Sequence, residues 1–148
     1  MEFSVDARER WILAIFALVC CGLLFSGYLS AVKLLSNACA FNEPCPYFLG
    51  YPACWYGFVM YLAMFIATGL TITRKTGYTA ALKVDLGVSA VGIVFAGSFA
   101  IQELLQSRIT GTLGLSTCAY GFIFYVAIFV VSIIAFRKFR NINPTSSN

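Results

Sequence analysis

The chain has 148 residues, of which 60% are hydrophobic and only 11% are charged, and its formal net charge is +4. Ordinary soluble domains carry about 25% charged residues, so this composition excludes a water-soluble globular protein. It indicates an integral membrane protein, and the modest positive charge gives no reason to expect a nucleic-acid partner.

Four apolar segments follow one another along the chain. Each has close to the ~20 residues that a helix needs to cross the hydrocarbon core, and none alternates like a barrel strand. Because backbone polar groups must be satisfied within lipid, these segments predict helices. We therefore predict an all-α membrane protein, a single four-transmembrane-helix bundle without a sequence repeat. The predicted spans are residues 11–35, 53–72, 84–105 and 113–136, followed by a disordered tail at 141–148.

The basic residues predict the orientation of the bundle. Two of the ten, Lys33 and Arg108, lie at one end of the predicted spans, and eight lie at the other. By the positive-inside rule, both termini are expected to be cytoplasmic, with the loops at 37–52 and 107–112 extracytoplasmic. The eight are Arg8, Arg10, Arg74, Lys75, Lys83, Arg137, Lys138 and Arg140.

Four of the six cysteines gather on the predicted extracytoplasmic side, where disulfides form and persist. The remaining two, Cys20 and Cys21, are adjacent in the first span and diverge by about 100°, so we interpret them as buried free thiols. The four are Cys39 and Cys45 in the loop, Cys54 at the outer end of the second helix, and Cys118 about one and a half turns into the fourth.

These four cysteines have structural and functional interpretations. Cys39 and Cys45 suit a loop staple, and Cys54 and Cys118 suit small packing residues between helices. The functional alternative is a relay, in which a partner's thiolate attacks the loop disulfide and a second cysteine pair then takes the electrons.

The relay requires an electron acceptor in the membrane. The sequence contains no histidine, so we expect neither haem nor a His-bound metal. A zinc ion or iron-sulfur cluster held by four cysteines is disfavoured because paired C-x-x-C spacings are absent, and a membrane quinone is the acceptor that fits. Aromatic residues near the outer surface are candidates for binding it, although such residues also form interfacial belts. They are Trp55, Tyr56, Phe58, Tyr120 and Phe122.

The four spans, the two-cysteine loop and the segment "GYPACWYG" at 50–57 resemble the vitamin K epoxide reductase family. Gly50, Pro52 and Gly57 reproduce the "GIPxxxxG"-like turn of that family. The segment "CWYGFVMY" at 54–61 is also similar to the "CWYxRxxMY" of related bacterial oxidases that pass electrons from periplasmic thiol oxidants to quinone, but it is one residue shorter and lacks the arginine.

The resemblance implies a role for each outer cysteine. Cys39 and Cys45 would meet an extracytoplasmic thioredoxin-like partner, and Cys118 would lie beside a ubiquinone- or menaquinone-type cofactor. Leu115 replaces the first cysteine of the family's C-x-x-C, so we expect Cys118 to pair with Cys54 across two helices. That pairing requires Cα atoms within ~7 Å. The predicted function is a membrane thiol-disulfide oxidoreductase.

Two alternatives stay open. The first is a non-catalytic membrane subunit or assembly factor with structural cysteines, acting in a larger membrane complex. The second is a thiol-lined carrier of a soft metal ion, which would also need Cys20 or Cys21.

The third helix carries two further signals. Gly92, Ala96 and Ala100 recur every fourth residue, which predicts close helix packing. Asp85 lies near the predicted start of this helix, where a negative charge suits the helix dipole.

Overall fold

A computed structural model describes the backbone of residues 2–36, 47–73, 77–110 and 117–140, and side chains within 8–35, 47–73, 77–105 and 118–139. The predicted loop cysteines Cys39 and Cys45, together with Leu115 and the tail at 141–148, lie outside these residues.

Four long helices make up nearly all of the described chain. Each contains a segment that is long and apolar enough to cross a membrane, so the predicted four-helix membrane fold is confirmed. In chain order the elements are α1 (Glu2–Ser36), β1 (Tyr47–Phe48), β2 (Tyr51–Pro52), α2 (Ala53–Ile72), α3 (Tyr78–Thr110) and α4 (Thr117–Arg140). The apolar segments are Arg8–Leu35, Ala53–Ile72, Tyr78–Leu105 and Cys118–Phe139.

The start of the third helix differs from the prediction. α3 begins at Tyr78, six residues before the predicted start at Val84, because a helix continues through Lys83 when that side chain points outward. The described part of α4 begins at Thr117, and the predicted start at residue 113 lies outside the described residues. Cys118 is the second residue of this described part.

Each helix packs against two neighbours in a closed ring, with α1 against α2, α2 against α3, α3 against α4, and α4 against α1. Neighbouring helices are antiparallel, because contacts that advance along α1 retreat along α2: Gly27 meets Phe58, whereas Ser30 meets Cys54. Four antiparallel spans bring the start of α1 and the end of α4 to one end of the bundle. We call this end the terminal side and the opposite end the loop side.

Burial divides each helix into an inward and an outward face. Outward residues such as Leu24 and Val94 are each 74% exposed within the bundle, as expected for side chains that contact lipid. The small residues Ala96 and Ala100 are buried, and so is Gly92, which confirms the predicted packing stripe on α3.

A short antiparallel hairpin leads into α2, with Tyr47 paired to Pro52 and Phe48 to Tyr51. Its two central residues both have positive φ, 51° at Leu49 and 85° at Gly50. Two-residue hairpins favour such turns because their twist matches that of the strands. The hairpin was not predicted, although Gly50 and Pro52 were expected to form a turn before the second helix.

Candidate functional site

Two stacked tyrosines occupy the centre of the bundle, Tyr61 of α2 and Tyr125 of α4. Their ring centroids lie 4.5 Å apart, with an interplanar angle of 10°. The Tyr61 hydroxyl donates to the carbonyl oxygen of Gly121 at 3.2 Å, and the Tyr125 hydroxyl donates to that of Gly57 at 3.3 Å. The pair thus joins α2 and α4, which face each other across the ring, and gives both buried hydroxyls an acceptor.

Glycines on the other two helices make room for these rings. A Cβ atom at Gly92 of α3 would lie 2.5 Å from Cδ1 of Tyr125, and one at Gly22 of α1 would overlap the Tyr61 ring. Real Cβ atoms do not approach other atoms so closely, so both positions require glycine. We call Gly22, Tyr61, Gly92 and Tyr125 the tyrosine layer.

The symmetry of this layer reflects a sequence repeat. α2 contains "CWYGFVMYLAMF" at 54–65 and α4 contains "CAYGFIFYVAIF" at 118–129, which are identical at seven of twelve positions. α1 and α3 contain "GLLFSGYLSAVKLL" at 22–35 and "GIVFAGSFAIQELL" at 92–105, identical at five of fourteen. The prediction that the chain has no repeat is therefore wrong, because it consists of two related hairpins, α1–α2 and α3–α4.

Equivalent residues of the two hairpins make equivalent contacts. A Cβ atom at Gly27 would lie 3.4 Å from the Phe58 ring, and one at the equivalent Gly97 would lie 3.1 Å from the Phe122 ring. Since α1 and α3 run in the same direction, the hairpins are related by a pseudo-two-fold axis along the bundle, as in other membrane proteins with parallel repeats.

The loops are where the hairpins differ most. Equivalent residues are 70 apart on α1 and α3 (Gly22 and Gly92) but 64 apart on α2 and α4 (Cys54 and Cys118), so the first loop is six residues longer. The longer loop contains Cys39 and Cys45, which have no counterpart in the second hairpin.

Cys54 and Cys118 are equivalent residues of this repeat. Each is the second residue of its helix, and each precedes its layer tyrosine by seven residues, which is about two turns. The two cysteines therefore lie at the same level and on the same helix face as Tyr61 and Tyr125, toward the loop side. Both are partly buried.

The first turn of a helix is a favourable setting for a reactive thiol. Backbone N–H groups there have no intrahelical acceptor, and the helix dipole places partial positive charge nearby. Near Cys54, the Ser30 hydroxyl donates to the Cys54 carbonyl oxygen at 3.4 Å, and Lys33 lies one turn further along α1 from Ser30. Lys33 also lies 5.4 Å from the ring centroid of Tyr47, which connects α1 to the hairpin.

Cys54 is a free thiol in the structure, so the predicted Cys54–Cys118 disulfide is not formed in it. Such a bridge would join helices that face each other across the ring, which requires their loop-side ends to approach. Cys20 is partly buried and Cys21 is exposed, so the interpretation of both as buried thiols is wrong for Cys21. Both lie within two residues of Gly22 of the tyrosine layer, about two turns from the level of Cys54. The pairing of Cys54 with Cys118 stays a prediction.

The five aromatic residues predicted to bind quinone do not line one pocket. Phe58 and Phe122 pack against Gly27 and Gly97 at helix contacts. Tyr56 belongs to an aromatic cluster between the hairpin, α2 and α3. The other members of that cluster are Phe48, Phe95 and Phe99.

Trp55 and Tyr120 are more accessible, at 37% and 43% exposed. The Trp55 ring lies 5.9 Å from Tyr51, and the Tyr120 ring lies 5.9 Å from Phe25 of α1. Of the five predicted residues, these two keep aromatic surface available close to Cys54 and Cys118.

Comparison of the chain with family models, with curated proteins and with solved structures gives no match. The resemblance to vitamin K epoxide reductases therefore depends on the sequence features quoted above, and it stays a prediction.

Proposed function

We propose that this multi-pass membrane protein is a thiol-disulfide oxidoreductase that passes electrons from extracytoplasmic protein thiols to a membrane quinone. The observation that carries the proposal is the equivalence of Cys54 and Cys118. Two half-buried cysteines occur at the same level of two repeated hairpins, each in the first turn of a helix, next to the loop that contains the other two outer cysteines.

The proposed reaction balances as two thiols plus quinone giving a disulfide plus quinol. A thiolate of a reduced thioredoxin-like partner attacks the Cys39–Cys45 disulfide, and the partner's second thiolate resolves the mixed disulfide. A freed loop thiolate then attacks the Cys54–Cys118 disulfide, and the second loop thiolate resolves this mixed disulfide, which restores the Cys39–Cys45 disulfide and leaves Cys54 and Cys118 as thiols. The resulting pair of thiols gives two electrons and two protons to the quinone and returns to the disulfide.

Two observations support this assignment of roles. The loop with Cys39 and Cys45 is the longer of the two outer loops and ends at the hairpin that contacts Lys33. Trp55 and Tyr120 are exposed beside that pair, so we assign them to quinone contact, whereas Tyr56, Phe58 and Phe122 support the helix contacts.

The test is quinone reduction by purified protein in lipid vesicles, with a reduced thioredoxin-like protein as donor and short-chain ubiquinone and menaquinone analogues as acceptors. We expect Cys39→Ser, Cys45→Ser, Cys54→Ser and Cys118→Ser to abolish protein-dependent turnover. Cys20→Ser and Cys21→Ser are matched controls that should keep it. A variant without cysteines measures the direct reaction of donor with quinone.

The same variants separate the proposal from its alternatives. Peptide mapping under non-reducing conditions should find a Cys54–Cys118 link after oxidation with quinone. It should also find a link between the two pairs in variants in which one cysteine of each pair is replaced by serine. If replacing Cys54 or Cys118 leaves the measured rate of quinone reduction unchanged, the proposal is refuted and a non-catalytic subunit is favoured. Stoichiometric binding of a soft metal ion that also requires Cys20 or Cys21 would favour the carrier.

A further inference from the structure

Asp85 is a carboxylic residue enclosed by the bundle. The sequence places it at the start of the third helix, but α3 begins seven residues earlier at Tyr78. Its side chain is 0% exposed, and neither carboxyl oxygen has a hydrogen-bond partner among the described residues. The predicted interaction of Asp85 with the helix N-terminus is therefore wrong, and the buried carboxyl requires another explanation.

The tyrosine layer sets the level of Asp85 relative to the other helices. Seven residues are about two turns, or ~10.5 Å, and return to nearly the same helix face. Counting seven residues from the tyrosine layer toward the terminal side gives one residue on each helix, and all four are 0% exposed. We call them the aspartate layer. They are Ile15, Thr68, Asp85 and Ser132.

The repeat shows which parts of the aspartate layer the fold needs. Thr68 and Ser132 are equivalent residues, so each hairpin contributes a hydroxyl. Asp85 is equivalent to Ile15, so the other hairpin fills the same position with an apolar side chain. A carboxyl is thus not required for packing at this level, and its presence on α3 indicates a function. Ionisable residues enclosed in membrane bundles commonly serve ion or proton pathways.

Hydroxyl-bearing residues lie near the level of Asp85 on three helices: Ser89 on α3, Thr68 on α2 and Ser132 on α4. Ser89, one turn further along α3, donates to the Asp85 backbone carbonyl. Thr68 donates to the carbonyl of Met64 at 2.7 Å, and its oxygen retains lone pairs as an acceptor. The Ser132 hydroxyl is buried and has no partner among the described residues.

Among the described residues, the basic groups of the terminal side lie near aromatic rings or are exposed, and the Arg8 Nε is buried without a described hydrogen-bond partner. The Arg8 guanidinium of α1 lies 5.9 Å from the ring centroid of Tyr78, and the Lys138 ammonium of α4 lies 5.8 Å from that of Trp11. Lys83 of α3 is exposed. No cation among the described residues pairs with the Asp85 carboxyl.

Tyr78, seven residues before Asp85 on α3, has a buried hydroxyl without a described hydrogen-bond partner, and the layer tyrosines lie about two turns from Asp85 on α2 and α4. Their hydroxyls bond to carbonyls of Gly121 and Gly57, one turn toward the loop side, and so point away from the aspartate layer. Asp85 is thus a buried acidic residue without a described ionic partner. Thr68 and Ser132 contribute hydroxyl groups at the same level from the two neighbouring helices.

We propose that the aspartate layer is an intramembrane proton-binding site, in which the Asp85 carboxyl carries the proton and exchanges it with the terminal side. An unpaired ionised carboxylate is costly to enclose, whereas the neutral acid is accommodated and can donate to a hydroxyl oxygen. Exchange is assigned to the terminal side because Asp85 lies seven residues from Tyr78 and twenty from Leu105, the two ends of the span. The proposal does not depend on the thiol chemistry.

Aspartate labelling provides a direct test, because Asp6 is the only other aspartate in the chain. Protein labelled with ¹³C at the aspartate carboxyl should give two nuclear magnetic resonance signals in lipid vesicles. We expect the Asp85 signal at the position of a protonated carboxyl at pH 7, where the Asp6 signal has the position of a carboxylate. Asp85→Asn and Asp6→Asn assign the signals, and Asp85→Ile, which copies the equivalent residue, replaces Asp85→Asn if that variant does not fold.

Sealed vesicles with uniformly oriented protein test the exchange. Raising the pH on the terminal side should move the Asp85 signal to the carboxylate position, whereas raising it only on the loop side should not. Ser132→Ala should shift the Asp85 signal, and Ser98→Ala, an exposed serine of the same helix as Asp85, is the matched control.

Four results would overturn the proposal. An Asp85 signal at the carboxylate position at pH 7 would mean an ionised group, and movement of the signal by sodium at constant pH would mean a metal-cation site. A signal that stays protonated at alkaline pH on the terminal side, in protein that remains folded, would mean a fixed hydrogen-bond donor. Exchange from the loop side alone would place the pathway at the wrong end.

Discussion

Replacing Gly92 with alanine should destabilise the bundle, because the added methyl group would occupy space that the Tyr125 ring fills. The new Cβ would lie 2.5 Å from Cδ1 and from Cε1 of that ring. The ring cannot retreat easily, since it stacks on Tyr61 and its hydroxyl is bonded to Gly57. Overpacking of this kind costs about 1–3 kcal/mol.

Gly87→Ala is the matched control for this experiment. Gly87 lies on the same helix, and nothing lies within 4 Å of a Cβ built on it. Alanine is favoured over glycine within a helix by up to about 1 kcal/mol, and this gain applies to both variants. The difference between Gly92→Ala and Gly87→Ala therefore isolates the clash, which we expect to be about 1–3 kcal/mol of unfolding free energy.

The measurement is reversible unfolding in lipid or mixed micelles, with the two variants compared under identical conditions. Removing the ring in Tyr125→Leu should relieve the clash, so the double variant Gly92→Ala/Tyr125→Leu should be more stable than the sum of the single effects. Equal stability of Gly92→Ala and Gly87→Ala would contradict the tyrosine layer as described.

Three further predictions concern single contacts. Tyr61→Phe and Tyr125→Phe should each lower the unfolding free energy by about 0.5–1.5 kcal/mol through loss of one hydrogen bond, and unchanged stability in the same unfolding assay would argue against the cross-bundle pairs. Gly50→Ala should destabilise the hairpin, because its φ of 85° is unfavourable for alanine, whereas Leu49→Asn should be tolerated; proteolysis rates near residue 50 measure both. Under reducing conditions, Cys54→Ala/Cys118→Ala should leave the unfolding free energy unchanged within about 0.5 kcal/mol, and a larger loss would support the packing interpretation.

The number and approximate length of the spans were predictable because hydrophobicity and helix length are properties of the sequence alone. The second span agrees with the prediction at both ends, Ala53 and Ile72, since Pro52 and the polar segment after Ile72 bound it. The start of α3 was not predictable in the same way. Lys83 and Asp85 interrupt the apolar run, but one points outward and the other inward, so the helix begins six residues before the predicted start.

The repeat was present in the sequence but difficult to recognise. The second helices of the hairpins are identical at seven of twelve positions, yet the first helices share only five of fourteen, and the longer first loop changes the offset between them. The contacts of Gly27 with Phe58 and of Gly97 with Phe122 make the equivalence plain, because the same residue types meet in the same order. Spacing alone shows neither which aromatic rings are covered nor which remain exposed.

The repeat also changes how the outer cysteines should be interpreted. A family resemblance treats Cys118 as the remaining half of a C-x-x-C motif in which Leu115 replaces the other cysteine. The internal symmetry instead relates Cys118 to Cys54, so the two form a pair related by the pseudo-two-fold axis, and no local motif is needed. Within this symmetric frame, the long loop with its two cysteines belongs to one hairpin and Asp85 to the other. The proposed thiol exchange and the proposed proton site therefore lie where the two halves of the protein differ, at opposite ends of the bundle.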